Sequence, residues 1–87
     1  FDENHRLISE IKSDLAAVMM ATGREAEAEA LLLEIYPLFM EGWGPEDART
    51  RRAAGRLVML YEQQGAPEKA DAYREIAWRP DEDIMLR

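Results

Sequence analysis

Four stretches of the chain carry apolar residues at the spacing of an α-helix. In the first stretch these residues share one helix face, and they are Leu7, Ile8, Ile11, Leu15, Val18 and Met19. In the second they wrap more than one face, which predicts packing against two neighbours, and they are Ala28, Leu31, Leu32, Leu33, Ile35, Leu38 and Phe39. The third stretch has Ala53, Ala54, Leu57, Val58, Leu60 and Tyr61, and the fourth has a thinner set, Ala70, Ala72, Tyr73, Ile76, Ala77 and Trp78. The pattern predicts helices over about residues 4–22, 25–41, 47–64 and 67–78.

Glycine and proline mark the boundaries of these helices. Gly23 closes the first helix and Gly65 the third, because glycine adopts the left-handed conformation at a helix end without steric cost. Pro37 lies inside the second helix and predicts a bend or an early end, since it lacks a backbone donor and crowds the preceding turn. Residues 42–45, Gly-Trp-Gly-Pro, separate the second helix from the third. Pro67 suits the first turn of the fourth helix.

The two helix-ending glycines belong to similar hexapeptides. Residues 23–28 read Gly-Arg-Glu-Ala-Glu-Ala, and residues 65–70 read Gly-Ala-Pro-Glu-Lys-Ala, 42 positions later. Each copy lies between two helical stretches and marks the tight turn of an antiparallel helix pair. A fixed period of this size is typical of repeat proteins. We therefore predict an all-α fold of two stacked antiparallel helix-turn-helix hairpins, about 4–44 and 45–78, within one domain spanning 1–78.

Matched positions at this offset resemble a known family. The pairs are Leu15 with Leu57, Met19 with Tyr61, Gly23 with Gly65, Ala28 with Ala70 and Ala30 with Ala72. They resemble two tetratricopeptide repeats over about residues 9–78, a family in which a leucine stands eight residues before the turn glycine and an alanine five after it. The resemblance implies an α-solenoid fragment that binds protein segments.

The length of the period and the connection between the hairpins narrow this resemblance. A 42-residue period with a Gly-Pro-acidic connection at 44–47 is similar to the repeats of kinesin light chain and of C-terminal regions in bacterial eukaryotic-like serine/threonine kinases. In that connection Glu46 or Asp47 can cap the third helix. Phrases similar to the bacterial regions include Leu31-Leu32-Leu33-Glu34, Gly44-Pro45, Arg49-Thr50 and Leu60-Tyr61-Glu62.

The first helix of each stacked hairpin lines the concave side of such an array. The partner-binding candidates on that side are Glu10, Asp14, Ala17, Met20, Arg52, Arg56, Met59 and Gln63. Met20 and Met59 could supply adaptable apolar contacts to a partner. The alternative is structural, in that Asp14 pairs with Arg52 or Arg56 and only fixes how the hairpins stack.

Composition restricts the classes of function. The 87 residues have a net charge of −7, which opposes binding to a nucleic-acid backbone despite the arginines at 49–56. There is no cysteine, and no apolar run approaches the length of a membrane span. We expect a soluble, cytoplasmic protein with no membrane partner. Because the chain begins at Phe1 rather than methionine, we also expect it to be a piece of a longer protein.

No pattern for catalysis, a metal or a cofactor appears in the sequence. His5 is the sole histidine and is expected to be solvated near the terminus. Glu25 and Glu29 are expected to form a hydrated helix face. Acid–base catalysis by these carboxylates would need burial or a charged partner to shift their pKa. Trp43 and Trp78 are either contact residues for a partner or packing residues of the core.

The interpretation is a non-catalytic protein–protein interaction module that belongs to a larger bacterial protein and binds a protein or peptide segment. Two alternatives stay open. The chain could be a self-associating unit, such as a homodimer, or a unit that caps a longer helical array, since two repeats bury little surface. It could also be a regulatory C-terminal region of a serine/threonine kinase. The tail at 79–87, which ends in an apolar trio at 84–86, is either a cap or disordered.

Overall fold

A computed structural model describes the backbone of residues 3–77 and the side chains of residues 5–77. This part of the chain forms four helices and no strand: α1 (Glu3–Ala21), α2 (Glu25–Gly42), α3 (Ala48–Gln63) and α4 (Pro67–Arg74). Helix α1 pairs with α2 and α3 pairs with α4, while α3 also packs against both helices of the first pair. The predicted all-α fold of two stacked helical hairpins is confirmed.

The two hairpins turn in the same way. Gly23 and Gly65 both adopt the left-handed conformation, with φ of 81° and 73°. In each turn the amide after the glycine donates to the carbonyl five residues earlier, from Arg24 to Met19 and from Ala66 to Tyr61, both at 2.8 Å. This pattern satisfies carbonyls that the helix end would leave unpaired. The matching hexapeptides therefore encode one and the same chain reversal.

The other helix boundaries follow the predictions, except that of α4. Asp47 caps α3, since its side chain accepts a hydrogen bond from the backbone amide of Arg49 at 2.9 Å. Helix α2 does not end early at Pro37 but continues to Gly42. Proline is tolerated there because Pro37 and Leu33, whose carbonyl loses its helical donor, both lie on the exposed side, where water can replace that donor. Helix α4 is shorter than predicted and ends at Arg74.

Helix α2 lies at the centre of the core. Its buried residues, Ala28, Leu32, Ile35 and Phe39, meet Ala16 of α1, Ala53, Leu57, Leu60 and Tyr61 of α3, and Ala70 of α4. The prediction that α2 packs against two neighbours is confirmed. Ala28 and Ala70, the alanines that follow the two turns, are both completely buried. A small side chain at these positions lets the two helices of each hairpin approach closely.

Of the apolar face predicted for the first helix, only Met19 packs against the core. Its five large aliphatic residues, which we call the α1 stripe, are 44 to 58% exposed; they are Leu7, Ile8, Ile11, Leu15 and Val18. The side of α1 that packs inward instead presents the small residues Ser9, Ser13 and Ala16. Helical spacing identifies residues that share a face, but it does not identify the element that covers that face.

Some predictions fall outside the described residues. Trp78 and the tail at 79–87, including the apolar trio at 84–86, lie beyond the C-terminal limit of the description. None of the helices in the described range is long and apolar enough to cross a membrane.

Candidate functional site

A groove runs between α1 and α3, the first helices of the two hairpins. Its larger part has a volume of about 250 Å³ and is lined by Ala17, Met20 and Ala21 of α1 and by Arg56, Met59 and Gln63 of α3. Five of the eight candidate contact residues therefore lie together here, and only Ala21 is an addition. Met59 is 54% exposed, so its thioether side chain is available to a ligand. The surface of this part is mainly apolar, with one guanidinium at its edge.

The remaining three candidates line a smaller, polar depression. It has a volume of about 40 Å³ and is bounded by Glu10, Ser13, Asp14, Phe39, Arg49 and Arg52. Sequence reasoning missed Ser13 and Arg49 at this site. Arg49 could have been found, because it lies one helical turn before Arg52 on the same face. Ser13 gave no comparable signal, because it lies between the charged residues Lys12 and Asp14.

Arg56 joins the two hairpins between these depressions. Its guanidinium donates hydrogen bonds to the backbone carbonyl of Ser13 at 2.7 Å and to the Ser13 hydroxyl. Its side chain is only 18% exposed, and this burial lowers the pKa of Arg56, an effect that the neighbouring Asp14 carboxylate partly counteracts. Arg56 is thus a fixed part of the groove wall, held in place by α1.

The sequence left open that Asp14 pairs with Arg52 or with Arg56 to fix how the hairpins stack. The ion pair forms with Arg56. A guanidinium nitrogen of Arg56 lies 3.6 Å from a carboxylate oxygen of Asp14. The Asp14 side chain is 76% exposed, so water screens the pair and its stabilising effect is small. Arg52 is exposed and forms no ion pair within the described part of the chain. Of these two arginines, Arg56 is therefore held by the first hairpin and Arg52 is available to a ligand.

Trp43 packs against Arg49, which lines the polar end of the groove. The guanidinium carbon of Arg49 lies 3.7 Å from the centre of the Trp43 ring, which in turn packs on Phe39 with ring centres 4.9 Å apart. Asp47 accepts two side-chain hydrogen bonds from Arg49 at 2.9 and 3.0 Å, and these lower the pKa of Asp47. Trp43 is partly buried against the core. Of the two roles that the sequence left open, partner contact and core packing, this position corresponds to core packing.

Tyrosines hold α3 from the side opposite the groove. The Tyr61 hydroxyl donates a hydrogen bond of 2.8 Å to Glu29 of α2, and its ring stacks on Tyr73 of α4 with centres 6.2 Å apart. Burial, with the hydrogen bond to Glu29, raises the pKa of Tyr61 well above its ordinary value. Tyr36 of α2 meets Tyr73 edge to face at 5.2 Å. These contacts fix α3, and with it the groove residues that α3 carries.

The groove is the candidate site that the described residues build. Within residues 3–77 no group of three or more His, Cys, Asp or Glu side chains is placed to hold a metal ion. His5 is exposed near the start of α1. No family model, curated protein or solved structure matches the chain. The function is therefore inferred from the groove itself.

Proposed function

We propose that the groove between α1 and α3 binds a segment of another protein and that the chain is a non-catalytic interaction module. The observation that supports this proposal most directly is the clustering of Met20, Met59 and Arg56 around one depression between α1 and α3, with Arg52 lining the depression beside it. At about 250 Å³ the larger part of the groove is below the usual range for small-molecule pockets, about 300–1,000 Å³, and suits one or two side chains of a peptide.

The proposal includes membership in the tetratricopeptide repeat family. Two matched features support it, namely the identical turns at Gly23 and Gly65 and the complete burial of Ala28 and Ala70. In such repeats the first helices line the binding surface, which agrees with the position of the groove between α1 and α3. A role within a larger bacterial protein of the cytoplasm is part of the same proposal.

The chemistry of the groove defines the ligand segment. Methionine side chains are flexible and adapt to apolar groups of different shape, so Met20 and Met59 suit a leucine, isoleucine or phenylalanine side chain. Arg52 is free to meet a carboxylate at the polar end, while Arg56 is already engaged by α1. We therefore propose a segment with one apolar anchor and an acidic residue near it.

Selection from a phage-displayed library of random peptides tests this proposal. Enriched peptides are synthesised and titrated by fluorescence anisotropy against the wild type, Met59→Asp and Arg52→Glu. We expect enrichment of an apolar residue beside an acidic one. Met59→Asp should weaken binding at least about tenfold, which corresponds to about 1.4 kcal/mol and to partial loss of one buried apolar contact.

Ala30→Asp is the matched control, because it adds the same charge at an exposed position of α2, outside the groove. This variant should bind the selected peptides as the wild type does. The proposal is overturned if no peptide is enriched, or if the enriched peptides bind Met59→Asp and Arg52→Glu as tightly as the wild type.

A further inference from the structure

The α1 stripe is a second surface, separate from the groove. Its five members, Leu7, Ile8, Ile11, Leu15 and Val18, are all at least 44% exposed and follow one another along the helix. A continuous row of large aliphatic side chains is a typical mark of an interaction site. The groove residues of α1, such as Asp14 and Ala17, lie on the adjacent face of the helix.

Comparison with the second hairpin indicates that the stripe lies on a face that packs against another element. The counterparts of Ile8, Ile11, Leu15 and Val18, 42 residues later in α3, are Thr50, Ala53, Leu57 and Leu60, and all four are completely buried. That face of α3 packs against the first hairpin, where the Thr50 hydroxyl donates a hydrogen bond of 3.2 Å to the Phe39 carbonyl. The repeat thus uses this face for contact, and in α1 no described residue covers it.

The side chains of the stripe determine which kind of surface can cover it. Helix α2 approaches α3 closely because Thr50 and Ala53 are small and Thr50 supplies a hydroxyl. In α1 the same two positions hold Ile8 and Ile11, which are larger and have no donor. A helix cannot approach α1 in the way that α2 approaches α3. It has to pack side chain against side chain, at the ordinary interaxial distance of about 8–10 Å.

The stripe is complementary to a second copy of itself. Ile8, Ile11, Leu15 and Val18 are spaced three, four and three residues apart, which is the a/d pattern that packs helices in coiled coils. A two-fold axis would bring two such rows together without placing any charged residue between them. The flanking residues Lys12 and Asp14 are already ion-paired within the chain, with Glu34 and Arg56, so neither needs a partner across the paired stripes.

The last helix of a second copy offers no equivalent surface. The exposed positions of α4 include the charged residues Glu68, Lys69 and Asp71. Pairing of α1 with α4 in a head-to-tail chain would desolvate these groups against aliphatic side chains at a free-energy cost. We propose that two copies of this chain form a symmetric dimer through their α1 stripes. This pairing closes at two, and none of the five stripe residues lines the groove.

Static light scattering over a concentration series tests the dimer. The chain mass is 10.0 kDa, so the wild type should reach twice that mass as its concentration rises. Ile11→Asp/Leu15→Asp should remain at the mass of one chain throughout, because it would bury carboxylates between the helices. Both positions are exposed in the monomer, so the variant should keep its helices, which circular dichroism checks. Ile11→Gln/Leu15→Gln is an uncharged second version.

The groove variant Met59→Asp is the matched control and should dimerise as the wild type does. Dimerisation through the stripe is refuted if the wild type keeps the mass of one chain at every concentration. It is also refuted if the dimer persists in both stripe variants or is split by Met59→Asp. Peptide binding by the groove does not depend on any of these outcomes, so the two proposals can fail separately.

Discussion

Helices α1 and α3 occupy the same place in their hairpins, yet matched positions are exposed in one and buried in the other. Leu15 is 44% exposed, whereas Leu57, 42 residues later, is completely buried. The local sequence is equally apolar at both positions, so the difference comes from the neighbours. Helix α3 lies between α2 and α4, whereas among the described helices α1 packs mainly against α2 and has no further helix on its other side. Burial in a repeat protein is therefore a property of the position in the stack.

Truncation of these two leucines should give the largest difference in stability between a change in α3 and the matched change in α1. Leu57→Ala should lower the free energy of unfolding by about 2–5 kcal/mol, because it removes a fully buried side chain and leaves a cavity. Leu15→Ala, measured at a protein concentration where the chain is monomeric, should lower it by less than about 1 kcal/mol, since much of the side chain is already hydrated. Urea unfolding followed by circular dichroism measures both changes. Equal losses would contradict the difference in burial between α1 and α3.

Enlargement of the alanine that follows each turn tests whether the two helices of each hairpin are in equally close contact. Ala70→Leu should destabilise the fold by about 1–3 kcal/mol, because a completely buried methyl group leaves no space for a larger side chain. Ala28→Leu should have a similar effect on the first hairpin. Ala72→Leu is the control, since Ala72 is exposed only two residues further along α4. Thermal unfolding of the three variants gives the comparison, and an unchanged melting temperature for both Ala28→Leu and Ala70→Leu would argue against close helix contacts.

Removal of the cap at the start of α3 should have the smallest effect of the three. Asp47→Ala should cost about 1 kcal/mol, the usual value for loss of a side-chain N-cap. Asp47→Asn keeps an acceptor for the Arg49 amide and should cost less. Chemical denaturation at pH 7 measures both, with Glu46→Gln as the control at the adjacent residue. If Glu46→Gln lowers the free energy of unfolding as much as Asp47→Ala does, Asp47 is not the cap that stabilises α3.

The same cap should make stability depend on pH in the acid range. Hydrogen bonds from Arg49 lower the pKa of Asp47 below its ordinary value of 3.8 in the folded state. The contribution of the Asp47 carboxylate is therefore complete above the unfolded-state pKa and is lost as pH falls through the lower, folded-state pKa. The difference in unfolding free energy between the wild type and Asp47→Asn should shrink over that interval.

Features set by short stretches of sequence could be predicted, because their causes are local. The turns at Gly23 and Gly65 follow from the freedom of glycine at a helix end, and the cap of α3 follows from Asp47. The placement of Met20 and Met59 in one groove could also be predicted, since the repeat fixes which helices lie side by side. Their role in binding a partner stays a prediction.

Features that depend on distant residues could not be predicted. The exposure of Ile11 depends on what stacks beside α1, and the spacing of apolar residues contains no information about that. The hydrogen bonds from Arg56 to Ser13 join positions 43 residues apart, and no local signal selects Ser13 as the acceptor. The predicted span of α2, about 25–41, is confirmed, but whether Pro37 would end the helix early depends on which side of the helix meets water, and the local sequence does not determine that.

The contact between Arg56 and Ser13 has a consequence for how these two positions tolerate sequence change. One of the two acceptors is the main-chain carbonyl at position 13, a group that every residue type carries. Substitution of Ser13 by another small residue therefore preserves that hydrogen bond, whereas substitution of Arg56 removes both. Ser13→Ala should therefore weaken the link between the hairpins less than Arg56→Ala does, because it keeps one of the two hydrogen bonds.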